Sequence, residues 1–333
     1  MQPEYREAAT ALGLKIVDPD TFEISRHTSS KGITYIRNSG RAVSVVLRKR
    51  FDALVIPPAW TSVRCCEEED GHIQAVGQDD LGRRQYIYHS KWVDVRDRIK
   101  TQRLLAFGKA LPLIRKRTSR AIQQKNSKAS IVALAVKLVD KSVFRAGHEK
   151  YAKDGGRGIA TLKKSDLKIE GNVARFVFAG KSKKKNFVVV EDKGLVRGLQ
   201  TFSRRGRLFQ YQTAQGWRAL QATELNEYLR EISGSKVSAK DFRTFHGSAR
   251  ALAFLAGVDA KTDTAKKRAI AAAMRDVSTF LRNTPAVTRS SYVHPLVTEA
   301  FIRNELSFSL LRGPFRKGLN MAETALMRLL ERC

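Results

Sequence analysis

Five segments of the 333-residue sequence concentrate residue types that can act on a phosphodiester, namely tyrosine, arginine, lysine and carboxamide side chains. In chain order they are Gly82–Tyr88, Phe144–Tyr151, Phe178–Lys183, Lys240–Phe245 and Asn283–Val293. Tyrosine alone is a weak nucleophile, because its ordinary pKa near 10 leaves only about 0.1% phenolate at neutral pH. Arginine and lysine side chains nearby favour the phenolate and stabilise the negative charge that develops at phosphorus. These residue types therefore suit attack on a phosphodiester, provided that the fold brings them together.

Arginine and lysine suit different parts of such a reaction. The planar guanidinium of arginine donates two hydrogen bonds to phosphate oxygens, whereas a lysine whose pKa is lowered by neighbouring cations can protonate the departing sugar oxygen. The sequence contains no EF-hand loop, no His-x-x-x-His pair, no carboxylate cluster typical of a two-metal nuclease and no Gly-x-x-x-x-Gly-Lys-Ser/Thr loop. We therefore expect covalent chemistry that uses no metal, no ATP and no other cofactor.

The charge balance indicates a polyanionic partner. The chain has 62 Lys and Arg residues against 32 Asp and Glu residues, which gives a formal net charge of +30. Such an excess destabilises a compact fold by self-repulsion unless a polyanion relieves it. Nucleic acid is the expected partner. A ribosome-associated structural protein and a membrane-surface binder are the alternatives that composition leaves open.

Cysteine content and hydropathy predict the environment of the protein. Cys65, Cys66 and Cys333 form neither a disulfide framework nor a zinc-ligand pattern, which favours reduced thiols. No apolar signal segment follows Met1, and no apolar run approaches 18 residues. We therefore expect a cytoplasmic protein with no membrane partner.

The elements that must position the reactive residues change character near residue 90. Before it, short β-branched or alternating runs bounded by turn residues predict strands. The predicted strands are Ala42–Leu47, Leu54–Ile56, Ser62–Cys66, His72–Val76 and a strand with Tyr86 and Tyr88 on one face. The acidic segment Glu67–Asp70 followed by Gly71 predicts a hairpin between the third and fourth of these strands.

From Lys91 onward, apolar residues at helical spacing predict a mainly helical region that one β-hairpin interrupts. The predicted helices are Val93–Ala110, Ser130–Val139, Lys240–Leu255, Asp263–Leu281 and Pro295–Leu311, and the predicted hairpin strands are Val173–Phe178 and Phe187–Val190. Thr284 as N-cap and Pro285 as the first helical residue predict a further helix. We predict an α+β fold with a β-rich N-terminal domain, residues 1–90, and a larger, mainly α-helical domain, residues 91–333, that contains the hairpin.

The five segments resemble, in the same order, characteristic segments of the type IB DNA topoisomerases, specifically the poxvirus-like branch that also occurs in bacteria. Phe144–Tyr151, Phe178–Lys183 and Lys240–Phe245 resemble the segments with the family's first catalytic arginine, its catalytic lysine and its second arginine. Asn283–Val293 is similar to the segment with the nucleophile, and Gly82–Tyr88 to a DNA-reading strand. Any one segment alone is weak evidence for this family, but five matching segments in the same order are a specific resemblance.

The resemblance implies a role for each residue. Tyr292 would attack phosphorus to form a 3′-phosphotyrosyl bond and release a 5′ hydroxyl. Arg145 and Arg243 would bind the scissile phosphate, and Lys181 would act as the general acid at the 5′ oxygen. The cut strand would then rotate and be rejoined without ATP, which relaxes supercoiled DNA.

One position departs from the viral pattern. Nine residues before the tyrosine, the poxvirus enzymes have histidine, whereas this chain has Asn283. Asparagine can donate a neutral hydrogen bond to a phosphate oxygen, but it supplies no positive charge and transfers no proton. The resemblance therefore implies hydrogen-bond donation by Asn283, and it favours the bacterial branch.

Residues outside the reacting group are expected to bind duplex DNA. Glutamine can pair with adenine edges in the major groove and tyrosine can contact phosphates, which makes Gln85, Tyr86 and Tyr88 candidates. The others are Lys150, Tyr151, Lys183 and Lys240. We expect a monomer whose two domains close around the duplex as a clamp, and which is associated with the nucleoid.

Two other functions remain open at this point. Tyrosine site-specific recombinases use the same Arg, Lys and Tyr chemistry, but they usually have His-x-x-Arg at the second arginine, where this chain reads Lys240-Asp241-Phe242-Arg243. A non-enzymatic DNA-binding protein would need the basic surface alone. Plasmid relaxation in EDTA distinguishes the three functions.

Overall fold

The computed structural model divides the chain into two compact units, residues 1–102 and 103–333. It describes residues 1–30, 32–124, 127–152, 155–180, 184–202 and 205–332. The division lies inside the long helix Trp92–Ile122. The domain boundary that the sequence analysis puts near residue 90 remains a prediction.

The first unit is built on a five-stranded antiparallel sheet in the order β2-β1-β3-β4-β5. Its strands are β1 (Ile24–Ser29), β2 (Gly32–Arg37), β3 (Thr61–Cys65), β4 (Ile73–Gln78) and β5 (Arg84–Tyr88), and its helices are α1 (Pro3–Ala11) and α2 (Val45–Ala53). The β3–β4 hairpin and the strand β5 confirm the sequence prediction for residues 62–88. Phe51 of α2 packs with Tyr35 and Ile24 of the sheet, which forms the core of this unit.

Two strands predicted before residue 60 are wrong. Residues 45–53 form the helix α2, which begins after the N-cap Ser44, whose side chain accepts a 3.3 Å hydrogen bond from the Leu47 amide. Leu47, Phe51 and Leu54 recur at helical spacing and face the core, whereas the β-branched Val45 and Val46 that suggested a strand are exposed in the first turn. Residues 54–56 leave this helix as a turn.

The second unit is mainly helical. Its helices are the greater part of α3 (Trp92–Ile122), α4 (Lys128–Ser142), α5 (Glu149–Ala152), α6 (Lys193–Gln200), α7 (Ala222–Ser233), α8 (Ala239–Ala256), α9 (Asp263–Leu281), α10 (Pro285–Ser291), α11 (Pro295–Ile302), α12 (Phe308–Arg312) and α13 (Met321–Leu330). The predicted bounds of α9 and the Thr284 N-cap are confirmed. The single predicted helix 295–311 is wrong, because Asn304 adopts a left-handed conformation (φ 60°) and separates α11 from α12.

Two small antiparallel sheets interrupt these helices. Strands β6 (Leu167–Glu170), β7 (Val173–Ala179) and β8 (Lys185–Glu191) form one sheet, and β9 (Gln210–Thr213) and β10 (Gly216–Ala219) form the other. The β7–β8 hairpin confirms the prediction, whereas β6 and the β9–β10 hairpin were not foreseen. Phe176 and Phe178 of β7 pack on Phe144, with ring centroids 5.5 and 5.1 Å apart. This contact fixes the backbone immediately before Arg145.

Two expectations about the whole chain can be compared with this structure. Cys65 and Cys66 are free thiols and both are buried. In the part of the chain that the structure describes, no helix is long and apolar enough to cross a membrane.

Candidate active site

Helix α8 positions the second arginine of the sequence pattern. It begins with a capping box, in which the Ser238 amide and the Asp241 carboxylate are 2.7 Å apart. Phe242 and Phe245 then enter the core and pack edge-on against Phe107 of α3. This packing leaves Arg243 on the side of α8 that faces α4 and α9, where only 2% of its surface is exposed.

The guanidinium of Arg243 is held by main-chain oxygens. It donates hydrogen bonds to the Val143 carbonyl and, at 2.8 Å, to the Leu281 carbonyl. These carbonyls lie at the C-terminal ends of α4 and α9, where the last peptide oxygens lack partners within the helix and carry the negative end of the helix dipole. Two helix ends therefore orient the arginine without neutralising it as a carboxylate would.

Both of these helix ends have an unusual backbone. The C-cap residues Val143 and Arg282 adopt left-handed conformations, with φ of 51° and 54°. This conformation is normally taken by glycine or asparagine, and it is least favourable for a β-branched residue such as valine. Strained backbone of this kind persists where surrounding contacts enforce it, and it concentrates at functional sites.

Arg145 and Asn283 form a second pair in the same place. The Nη2 of Arg145 donates to the Arg282 carbonyl at 3.0 Å and to Oδ1 of Asn283. Because arginine only donates, the carboxamide oxygen of Asn283 must face it, and Nδ2 points the other way. That Nδ2 and the Nε of Arg243 are buried and have no hydrogen-bond partner among the described residues. The site therefore holds two donors ready for an added acceptor.

Tyr292 is brought to this site by the short helix α10. Thr284 caps its start, Tyr292 is its C-cap, and the Tyr292 amide donates to the Thr288 carbonyl at 3.0 Å. A Cβ at Gly247 of α8 would lie only 2.9 Å from the Tyr292 carbonyl, so glycine permits this approach. The Tyr292 ring centroid lies 4.8 Å from Cζ of Arg243 and 6.0 Å from Nζ of Lys240.

The electrostatics of the site favour an anion. Burial raises the pKa of Tyr292, but attraction by Arg243, Arg145 and Lys240 outweighs burial and holds this pKa below its ordinary value. Burial and repulsion from Arg145 lower the pKa of Arg243 to about 10, and burial also lowers the pKa of Arg145. Both arginines remain charged at neutral pH, and neither forms a salt bridge with a described carboxylate.

Arg282 also lies at this site, although no sequence pattern indicated it. Its guanidinium donates to the Ser142 carbonyl and lies over the Phe144 ring, with Cζ 5.4 Å from the centroid. Burial, together with repulsion from Arg243 and Arg145, lowers its pKa to about 10. One feature of the sequence could have indicated a role for Arg282. It directly follows a predicted helix end, where a cation can bind the free carbonyls of the last turn.

A buried ionic network also escaped the sequence analysis. Arg115 of α3 pairs with Asp140 of α4 and Glu323 of α13, with nitrogen–oxygen distances of 2.8 Å to each carboxylate. His246 of α8 contacts the same two carboxylates at 2.9 and 3.3 Å. His246 is one helical turn after Arg243, so this network fixes the part of α8 that carries the site.

Several predicted site residues cannot be placed in this group. Lys181 and Lys183 lie outside the described residues. The backbone of Lys150 and Tyr151 belongs to α5, but their side chains also lie outside the described part of the structure. The predicted general acid and three predicted DNA contacts therefore remain predictions.

Gln85, Tyr86 and Tyr88 belong to β5 of the first unit. The Nε2 of Gln85 donates to Asp79 Oδ2 at 2.8 Å, and Arg83 pairs with the same carboxylate at 2.7 Å. Tyr88 stacks on Trp92 with ring centroids 5.8 Å apart, and Tyr86 lies 6.0 Å from Tyr88. Gln85 and the tyrosines are thus held in defined orientations on opposite faces of the strand.

Comparisons with known proteins cover both units. A family described as "Eukaryotic DNA topoisomerase I, catalytic core" matches residues 89–303, and one described as "Bacterial DNA topoisomerase IB, N-terminal domain" matches residues 32–79. A DNA topoisomerase 1B of Acanthamoeba polyphaga mimivirus is 29% identical over 294 residues, which span 83% of this chain and 86% of the viral protein.

Proposed function

The chain belongs to the type IB DNA topoisomerases, in the branch that also occurs in bacteria, and from this we propose that Tyr292 is the nucleophile with which it cuts DNA. The observation that carries the proposal is the position of the Tyr292 ring, 4.8 Å from the guanidinium carbon of an arginine that no described carboxylate neutralises. A phenol in this environment ionises more easily, and the same cations stabilise charge at phosphorus.

In the proposed reaction, the Tyr292 oxygen gives its proton to water and attacks phosphorus. The bond from phosphorus to the 5′ oxygen breaks, which leaves a 3′-phosphotyrosyl bond and a 5′ hydroxyl. Arg145 and Arg243 bind the two non-bridging oxygens, and Asn283 donates from its unpartnered Nδ2. Lys181 supplies the proton to the 5′ oxygen, a role that rests on the family resemblance.

Religation is the reverse of this step. The 5′ hydroxyl attacks the phosphotyrosine and passes its proton to Lys181, and the released Tyr292 phenolate takes up a proton from water. Because the covalent bond preserves the free energy of the phosphodiester, rotation of the cut strand between the two steps relaxes supercoils without ATP.

DNA binding is proposed for both units. Strand β5 would lie in the major groove, with Gln85 meeting base edges while Asp79 orients its amide. Lys150, Tyr151, Lys183 and Lys240 would contact phosphates. We further propose a monomer that closes as a clamp on the duplex in the nucleoid.

Relaxation of a supercoiled plasmid in EDTA without ATP tests the proposal. The wild-type protein should relax both positive and negative supercoils, and Tyr292→Phe should lose relaxation together with the covalent protein–DNA adduct. Tyr5→Phe, in helix α1 of the first unit and outside the proposed DNA contacts, is the matched control and should keep adduct formation. A covalent adduct formed by Tyr292→Phe would sink the assignment. Joining of specific sites without plasmid relaxation would instead favour a recombinase.

A further inference from the structure

Three guanidinium groups converge at the ends of α4 and α9. They belong to Arg145, Arg243 and Arg282. Arg145 donates to the Arg282 carbonyl and to Asn283 Oδ1. Arg243 donates to the carbonyls of Val143 and Leu281, and Arg282 donates to the Ser142 carbonyl. None of the three forms an ion pair with a described acidic residue, whereas other arginines of this unit do. Arg243 is buried and the other two are partly buried, and such a group of like charges without a counterion is unfavourable unless an anion joins it.

Arg282 occupies its position against the preference of its backbone. As C-cap of α9 it has φ 54° and ψ 54°, and its amide donates to the carbonyls of Ser278 and Thr279. Glycine would satisfy the same cap without strain. The helix end itself does not require an arginine side chain, so the strained backbone at this position indicates that the side chain has a role of its own.

The next residue, Asn283, indicates what the role of Arg282 is. Asn283 contributes hydrogen bonds but no charge. Arg282 adds a permanent charge one residue earlier, and its own carbonyl is bound by Arg145 at 3.0 Å. Of its guanidinium donors, the described contacts occupy Nη2 alone, through Ser142.

We propose that Arg282 supplies a third fixed positive charge to the phosphate pocket, alongside Arg145 and Arg243, in place of the charge that Asn283 cannot carry. This inference rests on the proposed function, because it takes the anion to be the scissile phosphate of duplex DNA. Arg282 then lowers the barrier to cleavage by stabilising the extra negative charge of the transition state.

Single-turnover formation of the covalent adduct on nicked duplex DNA tests the proposal. Arg282→Gly, which removes the charge and suits the left-handed backbone, should slow cleavage roughly 10- to 100-fold. Arg282→Lys should cleave at least about fivefold faster than Arg282→Gly, because lysine keeps a positive charge at neutral pH. Binding of intact duplex in a Tyr292→Phe background should change less than cleavage does.

Two controls separate charge from general effects. Arg268→Ala removes an exposed positive charge from the same helix, and Asn304→Gly relaxes a left-handed helix end elsewhere. Both should cleave at the wild-type rate. A purely structural role for Arg282, in holding Ser142 and Phe144, predicts that Arg282→Gln, which keeps a hydrogen-bond donor but no charge, cleaves as fast as Arg282→Lys, and that result would overturn the proposal.

A pH-dependent rescue provides a further readout. In Arg282→Gly with Asn283→His, the imidazole supplies charge only at acid pH, because burial and the neighbouring arginines hold its pKa below the ordinary value near 6.5. Relative to Arg282→Gly alone, cleavage should recover as the pH falls through the pKa of this imidazole and lose the recovery above it. The same ratio at every pH argues against a missing charge. If Tyr292→Phe still forms the adduct, the proposed nucleophile is wrong and the inference about Arg282 falls with it. If Tyr292→Phe is inactive but Arg282→Gly cleaves at the wild-type rate, only the inference about Arg282 is refuted.

Discussion

Replacement of Arg243 by methionine should slow cleavage strongly while leaving the stability of the fold nearly unchanged. A pKa lowered from 12.5 to about 10 corresponds to a cost of about 3 kcal/mol for keeping the buried guanidinium charged, at about 1.36 kcal/mol per pKa unit. This cost is fully present below pH 10 and declines only as the pH rises above it, because the folded-state pKa is the lower one. Methionine removes the cost and fills similar volume.

The loss of two hydrogen bonds opposes that gain. The Arg243→Met substitution would leave the Val143 and Leu281 carbonyls without their partner, at about 1–2 kcal/mol each. The two effects nearly cancel, so we expect the free energy of unfolding to change by less than about 2 kcal/mol. Cleavage should fall about 100- to 1,000-fold, since a preorganised donor to the transition state is lost.

Arg115→Met provides the matched comparison. Arg115 is an arginine of the same unit that is only partly buried, and it pairs with Asp140 and Glu323. Its removal leaves two buried carboxylates with His246 as their remaining cationic contact, which should cost about 3–5 kcal/mol. For both variants, urea unfolding measures the free energy of unfolding, and single-turnover adduct formation measures the cleavage rate. Equal destabilisation by the two substitutions, or cleavage by Arg243→Met within about tenfold of wild type, would refute this reasoning.

Three further predictions concern the surroundings of the site. The lowered pKa of Tyr292 predicts that single-turnover cleavage rises with pH and levels off below pH 10; Lys240→Met should move this rise to higher pH, and an unmoved midpoint would contradict the role of Lys240. Gly247→Ala should slow cleavage at least about tenfold, because its Cβ would lie 2.9 Å from the Tyr292 carbonyl, whereas Gly194→Ala, whose closest contact would be a flexible lysine end, should not. The pKa of His246 lies above its ordinary value, because burial lowers this pKa by less than hydrogen bonds and attraction from Asp140 and Glu323 raise it. The contribution of His246 to stability is therefore full below the ordinary pKa of about 6.5 and is lost as the pH rises through the folded-state pKa. His246→Gln should remove this alkaline decline in the urea midpoint, and an unchanged decline would show that another group causes it.

The sequence predicted those elements whose local signals agree with their packing. Helix α9 has a capping Thr262, apolar residues at helical spacing and a clear end, and its predicted bounds match the structure. The helix α2 was mistaken for a strand because Val45 and Val46 dominate its exposed first turn, while its buried face becomes visible only with the sheet. Local propensity is overridden there by tertiary packing.

Parts of the site could not be predicted because they depend on long-range geometry. Arg115 and Glu323 are 208 residues apart in the chain, and nothing in either segment identifies the other as its partner. The left-handed backbone of Val143 has no sequence signal at all, since valine is among the residues least suited to it. Arg243 was found by its motif, but its dependence on two helix ends follows only from the fold.

The main-chain cradle of the arginines has an evolutionary consequence. Carbonyl oxygens are present whatever the side chain, so no single substitution in α4 or α9 can delete the groups that orient Arg243. Substitution of the surrounding side chains can therefore leave the orientation of Arg243 unchanged. The positions at which mutation is least tolerated should then include those that set the path of the backbone, such as Val143 and Gly247, although neither residue contributes a side-chain group to the proposed chemistry.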